Sequence, residues 1–180
     1  TVKNNKNKLR EFQHKLSTLK LLDHACGSGN FLIITYRELR LLEIDILKET
    51  YKSGVQVLDG SSIFWNNVDQ FYGIEDDDFA SKIADVAMLL IDHQMNMLIS
   101  EEFGQYFARL PLSKSAKIVH GNSLRVDWEE VVSKDELSFI IGNPPFIGHQ
   151  WRAIEQMENM DFVFGKDSNS RRLDYVTAWF

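Results

Sequence analysis

The amino-acid sequence predicts an α/β fold, a mostly parallel sheet with helices on both faces. Three observations carry that expectation. Short apolar runs alternate with longer stretches of helical periodicity, the order of a parallel sheet rather than of hairpins. Each apolar run ends in a polar or glycine-rich segment, and ligands of such sheets bind at the carboxyl ends of the strands. The chain has 180 residues, 44% of them hydrophobic, enough for one globular core.

The elements follow in order. From Lys8 to Leu19 the apolar residues Leu9, Phe12, Leu16 and Leu19 recur at helical spacing. Leu19 to Asp23 reads as a short buried strand. The turn Asp23-His24-Ala25-Cys26-Gly27-Ser28-Gly29-Asn30 comes next, with Asn30 placed as the N-cap of a helix from Phe31 to about Leu47. Ser53-Gly54 and Asp59-Gly60-Ser61-Ser62 punctuate a loop. Gln70 to Ile74 is a second strand, closed by Glu75 and the acidic Asp76, Asp77 and Asp78. Asp78 to Ile99 is a long amphipathic helix. Lys117 to His120 is a third strand, and Ser138 to Ile141 a fourth. Gly148 to Arg172, with its run Gly165-Lys166-Asp167-Ser168-Asn169-Ser170, is polar and reads as a loop with one or two helical turns. Leu173 to Phe180 reads as the start of another helix.

Residues 1–18 form a basic helical lead-in or linker, with Lys3, Lys6, Lys8, Arg10 and Lys15, and Lys20 just beyond. Such a run is a solvated helix face or an arm that tracks a nucleic-acid strand. Residues 19–180 form one domain, expected to be truncated on its C-terminal side because Trp179-Phe180 stops inside an apolar run.

Composition narrows the function. Net charge is -6, whereas a whole DNA-binding protein more often carries a basic excess. Either DNA is not the partner or the basic surface lies elsewhere. The single cysteine, Cys26, excludes an internal disulfide and fits a reducing cytoplasm. No window approaches a membrane span, and the Lys/Asn-rich start is not a signal peptide. Five scattered histidines have no metal-site spacing, so no metal is expected, and His93 reads as structural.

Four segments carry chemistry. In the glycine turn, Gly27 and Gly29 let the backbone approach a ligand closely, ahead of a helix whose free amides favour a polar or negative group. Leu32 stands where a dinucleotide fingerprint needs glycine or alanine, and no Walker lysine follows. Glu75, directly after the second apolar run, can accept both hydroxyl hydrogens of a ribose. Asn122, next to Ser123, offers an amide for an adenine edge, though Gly-Asn is also an ordinary turn. Asn143-Pro144-Pro145-Phe146 is the most specific feature. Its prolines remove two amide donors and fix the backbone, so the Pro144 carbonyl and the Asn143 side chain present two acceptors to one amino group. Phe146 offers a face on which a flat base can stack. That arrangement suits methylation of a planar amine, with no covalent intermediate and no role for Cys26 as a nucleophile.

In this order the segments resemble the gamma-class adenine-N6 DNA methyltransferases. Ala25 to Phe31, Tyr36 to Arg40, Ile91 to Asn96 and Asp174 to Phe180 resemble more narrowly the MmeI-like group of single-chain restriction-modification enzymes. The resemblance implies a Rossmann-like, AdoMet-dependent methyltransferase fold from Leu19 onward. It implies S-adenosyl-L-methionine as methyl donor, held by Asp23, Ala25, Cys26, Gly27, Gly29, Asn30, Phe31, Glu75, Asp76, Asn122 and Ser123. It implies the target adenine, flipped out of double-stranded DNA, at Asn143, Pro144, Pro145 and Phe146. A prokaryotic cytoplasm follows from the same resemblance. His24 stands where the family usually has proline, and Asp76 where a hydrophobic residue usually packs on the cofactor's adenine. The family's nuclease would lie upstream and its target-recognition region downstream, so residues 1–180 alone are expected to methylate poorly. Two other readings stay open. One is a protein glutamine N5-methyltransferase, which grips a planar amide in the same way. The other is a nucleoside- or AdoMet-binding module without catalysis.

Overall fold

A computed structural model describes residues 2–51, 63–104, 114–166 and 169–180. The loop signals at Ser53-Gly54 and Asp59-Gly60-Ser61-Ser62, and the pair Asp167-Ser168, lie outside the described residues.

Short apolar runs form the strands, buried at the centre of the sheet and more open at its edges, where Phe139 and Ile140 are 54% and 50% exposed. β1 (Leu21–Asp23) is buried at all three residues. It pairs in parallel with β2 (Phe71–Glu75) on one side and β4 (Phe139–Ile141) on the other. β3 (Lys117–His120) pairs in parallel with β2, completing a four-stranded sheet of order β3-β2-β1-β4. The register sets Asp23 opposite Gly73 and Ile141, and Glu75 opposite His120. All four carboxyl ends therefore share one edge.

Successive side chains point to opposite faces of the sheet. Leu21, Phe71, Ile118 and Ile141 pack with Leu32, Tyr36, Ala84 and Met88. These last four belong to α2 (Asn30–Tyr51) and α3 (Asp78–Phe103), which lie together on that face. Leu22, Tyr72, Ile74 and Val119 pack on the other side with Val126, Trp128, Val131 and Val132. Among the described residues, the one-turn helix α4 (Trp128–Val131) and its flanking segments cover them. Both faces are covered, as expected, but unequally. Among the described residues no helix is long and apolar enough to cross a membrane.

Three local expectations need correction. Asn30 is not the N-cap of α2. The carbonyl of Gly29 accepts the first helical bond, from Ile33 N at 2.9 Å, so Gly29 caps and Asn30 is already inside the helix. The segment Gly148 to Arg172 is not mainly loop, because it contains α5 (Ile154–Phe164), three turns long. Its polar Asn159 and apolar Met160 are the buried positions, so the usual apolar stripe is weak. The predicted helix from Leu173 is a short 3-10 helix, Tyr175–Trp179, started by Asp174, whose side chain accepts from Val176 N.

α1 (Val2–Ser17) packs on α2 through a buried polar network. Arg40 Nη1 donates to Glu43 Oε2 at 3.2 Å and to the Asn66 carbonyl at 3.0 Å. Arg40 Nη2 donates to Asn96 Oδ1 at 2.9 Å. Glu43 Oε1 accepts from Gln13 Nε2 of α1 at 2.9 Å and from the Trp65 amide at 2.6 Å. Tyr36 Oη donates to Asp92 Oδ1 at 2.5 Å, and Asn96 Nδ2 to Asp92 Oδ2 at 3.2 Å. Tyr36, Arg40 and Glu43 lie one turn apart on α2, and Asp92 and Asn96 one turn apart on α3, so two faces lock together. Arg40 and Glu43 are almost wholly buried, at 1% and 0% exposure.

Glu43→Ala leaves the Arg40 charge buried without its carboxylate and is expected to destabilise the fold by about 3–5 kcal/mol. Lys48→Ala removes only a partly exposed pair with Glu102 and is expected to cost less than about 1 kcal/mol. Urea unfolding of both variants against the parent checks this; equal losses would contradict it.

Candidate active site

The glycine turn leaves β1 and folds back over β2. The Cys26 amide donates to the Ile74 carbonyl at 3.1 Å, and the Gly29 amide to the Cys26 carbonyl at 2.8 Å. Gly27 and Gly29 have φ of 54° and 84°, a left-handed conformation open to glycine and strained for other residues. The Gly27 amide donates to Glu75 Oε2 at 2.7 Å, and the other oxygen, Oε1, accepts from the Asp77 amide at 3.0 Å. One carboxylate at the end of β2 thus shapes both the turn after β1 and the approach to α3.

Asp23 is fully buried at the end of β1. Its Oδ1 accepts from the Ala25 amide at 3.1 Å, while Oδ2 has no hydrogen-bond partner. Burial pushes its pKa up to about 6, and the neighbouring Glu75 charge adds to the rise. Gly142, at the end of β4, sits directly on this carboxyl: a Cβ there would lie 2.6 Å from Asp23 Oδ1. His24 is 5% exposed, its Nδ1 is buried without a partner, and burial lowers its pKa. Its ring stacks on Trp128 with centroids 5.3 Å apart and lies 6.5 Å from the Trp179 ring. Cys26 is buried beneath the turn, and burial pushes its thiol up to about 12, so no reactive thiolate forms near neutral pH.

After β3, Asn122 Oδ1 accepts from the Leu124 amide at 3.0 Å, so the turn engages the side-chain oxygen rather than its N–H groups. Ser123 receives two indoles: Trp128 Nε1 donates to its carbonyl at 2.7 Å and Trp179 Nε1 to its hydroxyl at 2.8 Å. After β4, the Ile147 amide donates to Asp174 Oδ1 and the Tyr175 amide to the Ile147 carbonyl, each at 3.0 Å. The Asn143-Pro144-Pro145-Phe146 segment is thereby held between β4 and the last 3-10 helix.

A cavity of about 360 Å³ opens at this edge. Its wall brings together His24, Ala25, Gly27, Glu75, Asp76, Asn122, Ser123, Asn143 and Pro145. Asp23, Cys26, Gly29 and Pro144 are buried outside the wall, and Asn30, Phe31 and Phe146 are exposed outside it. Phe146 is 71% exposed. The wall also contains residues that sequence reasoning did not single out as site residues, namely Gly121, Glu155, Gln156 and Asn159, together with Tyr175 and Trp179. Asn159 Nδ2 donates to Tyr175 Oη at 3.0 Å and its Oδ1 accepts from Arg125 Nε at 2.9 Å, which fixes α5 against the loop after β3. The spacing of Ile154, Met157 and Met160 was the one signal for that helix.

Residues 1–180 match the family model for the MmeI DNA-methyltransferase domain. The chain is similar to DNA methyltransferase A of Bacillus subtilis (strain 168), 40% identical over 178 residues, 96% of this chain and 20% of the relative. It is also similar to the solved structure of the type IIL restriction-modification enzyme MmeI in complex with DNA, with a TM-score of 0.93 and 51% identity. That match covers 99% of this chain and 24% of the enzyme. The chain therefore spans well under a third of the length of these relatives.

The raised pKa of Asp23 has a consequence for stability. An acid whose folded pKa lies above its unfolded value of 3.8 stabilises the fold fully below that value, and the contribution is lost as pH rises through about 6. Unfolding free energy measured from pH 4 to 7.5 is expected to fall for the parent relative to Asp23→Asn by on the order of 2–3 kcal/mol. Parallel profiles for the two proteins would contradict this.

Proposed function

The chain belongs to the MmeI DNA-methyltransferase domain family, and from that membership we propose that it transfers a methyl group from AdoMet to the N6 amino group of an adenine flipped out of double-stranded DNA. The work is done within a longer restriction-modification protein in the prokaryotic cytoplasm. One observation carries the reading: Asn143 leaves β4 beside the glycine turn that leaves β1, on adjacent parallel strands, and both line one cavity.

The residues present fit the cofactor. Glu75 keeps lone pairs free on both oxygens for ribose hydroxyls after accepting one backbone amide at each. Asn122 offers amide hydrogens to an adenine edge, and the unpartnered Asp23 Oδ2 suits an ammonium. AdoMet supplies, when bound, a methyl group already activated on a sulfonium.

The chain's own residues then do the rest by position and charge. The carbonyl oxygens of Asn143 and Pro144 accept the two hydrogens of the target amino group. That grip favours a pyramidal nitrogen, whose lone pair is no longer delocalised into the ring. The exposed face of Phe146 stacks on the base. Proline at 144 and 145 keeps backbone amides from competing for these acceptors. Choice of the DNA sequence belongs to parts of the protein outside these residues, consistent with the net charge of -6.

The test supplies the intact protein with methyl-labelled AdoMet and duplex DNA, then digests the DNA to nucleosides. Label is expected in N6-methyladenine. Asn143→Ala is expected to slow transfer by on the order of 100- to 1000-fold, with affinity for S-adenosylhomocysteine changed by less than about threefold. Label in protein glutamine, or transfer undiminished by Asn143→Ala, would overturn the reading.

A further inference from the structure

Two consecutive residues, one at the end of β1 and the next in the cavity wall, bury polar atoms that no protein group satisfies. Asp23 Oδ2 and His24 Nδ1 are both buried without a hydrogen-bond partner, in side chains only 0% and 5% exposed. Leaving a donor or acceptor so costs about 1–3 kcal/mol, which a bound water or ligand recovers. His24 lines the cavity. Trp128 stacks on its ring at 5.3 Å and Trp179 flanks it at 6.5 Å. Both indoles are in turn anchored on Ser123. A Cβ on Gly142 would lie 2.6 Å from Asp23 Oδ1 and 3.6 Å from His24 Cε1. The two side chains therefore meet where β1 and β4 end, next to Asn143.

Their chemistry is complementary. A carboxylate accepts from an ammonium. A neutral imidazole offers one N–H donor, and burial holds this imidazole neutral. The amino-acid end of AdoMet carries one ammonium and one carboxylate. We propose that His24 is a cofactor-binding residue, its imidazole N–H donating to the carboxylate of that amino-acid end while Asp23 accepts from the ammonium. The proposal rests on the AdoMet reading above and adds a contact to it.

The test is equilibrium binding of two probes to the intact protein. S-adenosylhomocysteine has the amino-acid end, and 5′-methylthioadenosine lacks it. His24→Phe keeps a ring between the indoles and removes the nitrogens. It is expected to weaken S-adenosylhomocysteine on the order of 10-fold and to leave 5′-methylthioadenosine within about twofold, as loss of a bond to a charged group requires. His24→Pro is expected to do the same should the Phe variant fail to fold. His24→Asn, whose amide nitrogen sits near the Nδ1 position, is expected to recover most of the loss. S-adenosylhomocysteine binding unchanged in His24→Phe, or both probes weakened in parallel, would overturn the proposal. Failure of the parent to bind either probe would overturn the AdoMet reading itself.

Discussion

The bond from the Gly27 amide to the Glu75 carboxylate, 2.7 Å long, is the interaction on which the site depends. It joins the left-handed turn after β1 to the end of β2. The second oxygen of the same carboxylate takes the Asp77 amide, and the Asp77 side chain then caps α3 by accepting from the Ala80 amide at 2.7 Å. α3 in turn brings Ala84 against Gly29, where a Cβ would lie 3.2 Å from the Ala84 Cβ. One acid thus sets the turn, the helix that packs on it, and the wall where a ribose would lie.

A second constraint acts between β1 and β4. Because these strands are parallel neighbours in register, Asp23 and Ile141 are side by side, and the next residue, Gly142, rests on the Asp23 carboxyl. The group that meets the cofactor's ammonium in our reading is therefore also the floor beneath Asn143. The remaining walls are built by tertiary contacts: Ser123 collects Trp128 and Trp179, and Asp174 holds Ile147. Burying an ionisable Asp23 under this load costs stability near neutral pH, a trade common where a site needs a charged group away from water.

Most of the sheet was legible because its strands read as short apolar runs closed by a polar or glycine-rich segment. β3 falls at Lys117–His120, the span the sequence predicts, and the other strands fall within about two residues of expectation. The long helices α2 and α3 were legible from periodicity, and the resembling stretches around Tyr36–Arg40 and Asp92–Asn96 prove to be two halves of one buried network. α5 was hard to see for a physical reason. Its cavity-facing positions are the polar Glu155, Gln156 and Asn159, while Ile154 and Phe162 are exposed at 73% and 60%, so the apolar pattern is partly inverted. Motif order named the strand ends that meet, but not which side chains reach the cavity: Phe31 points to solvent at 48% exposure, and Cys26 lies beneath the turn. Those outcomes depend on packing between segments far apart in the chain. So does the environment of His24, whose two indole neighbours lie more than 100 residues away.

The central claim is that four strand ends make one site, with the cofactor along β1 to β3 and the target base at β4. A structure of the intact protein with S-adenosylhomocysteine and duplex DNA tests it most directly. The ribose hydroxyls are expected on Glu75, the amino-acid end beside Asp23 and His24, and an extrahelical adenine with its amino group facing the Asn143 and Pro144 carbonyls. A ligand bound elsewhere, or an adenine still stacked in the duplex while Asn143 contacts something else, would contradict it.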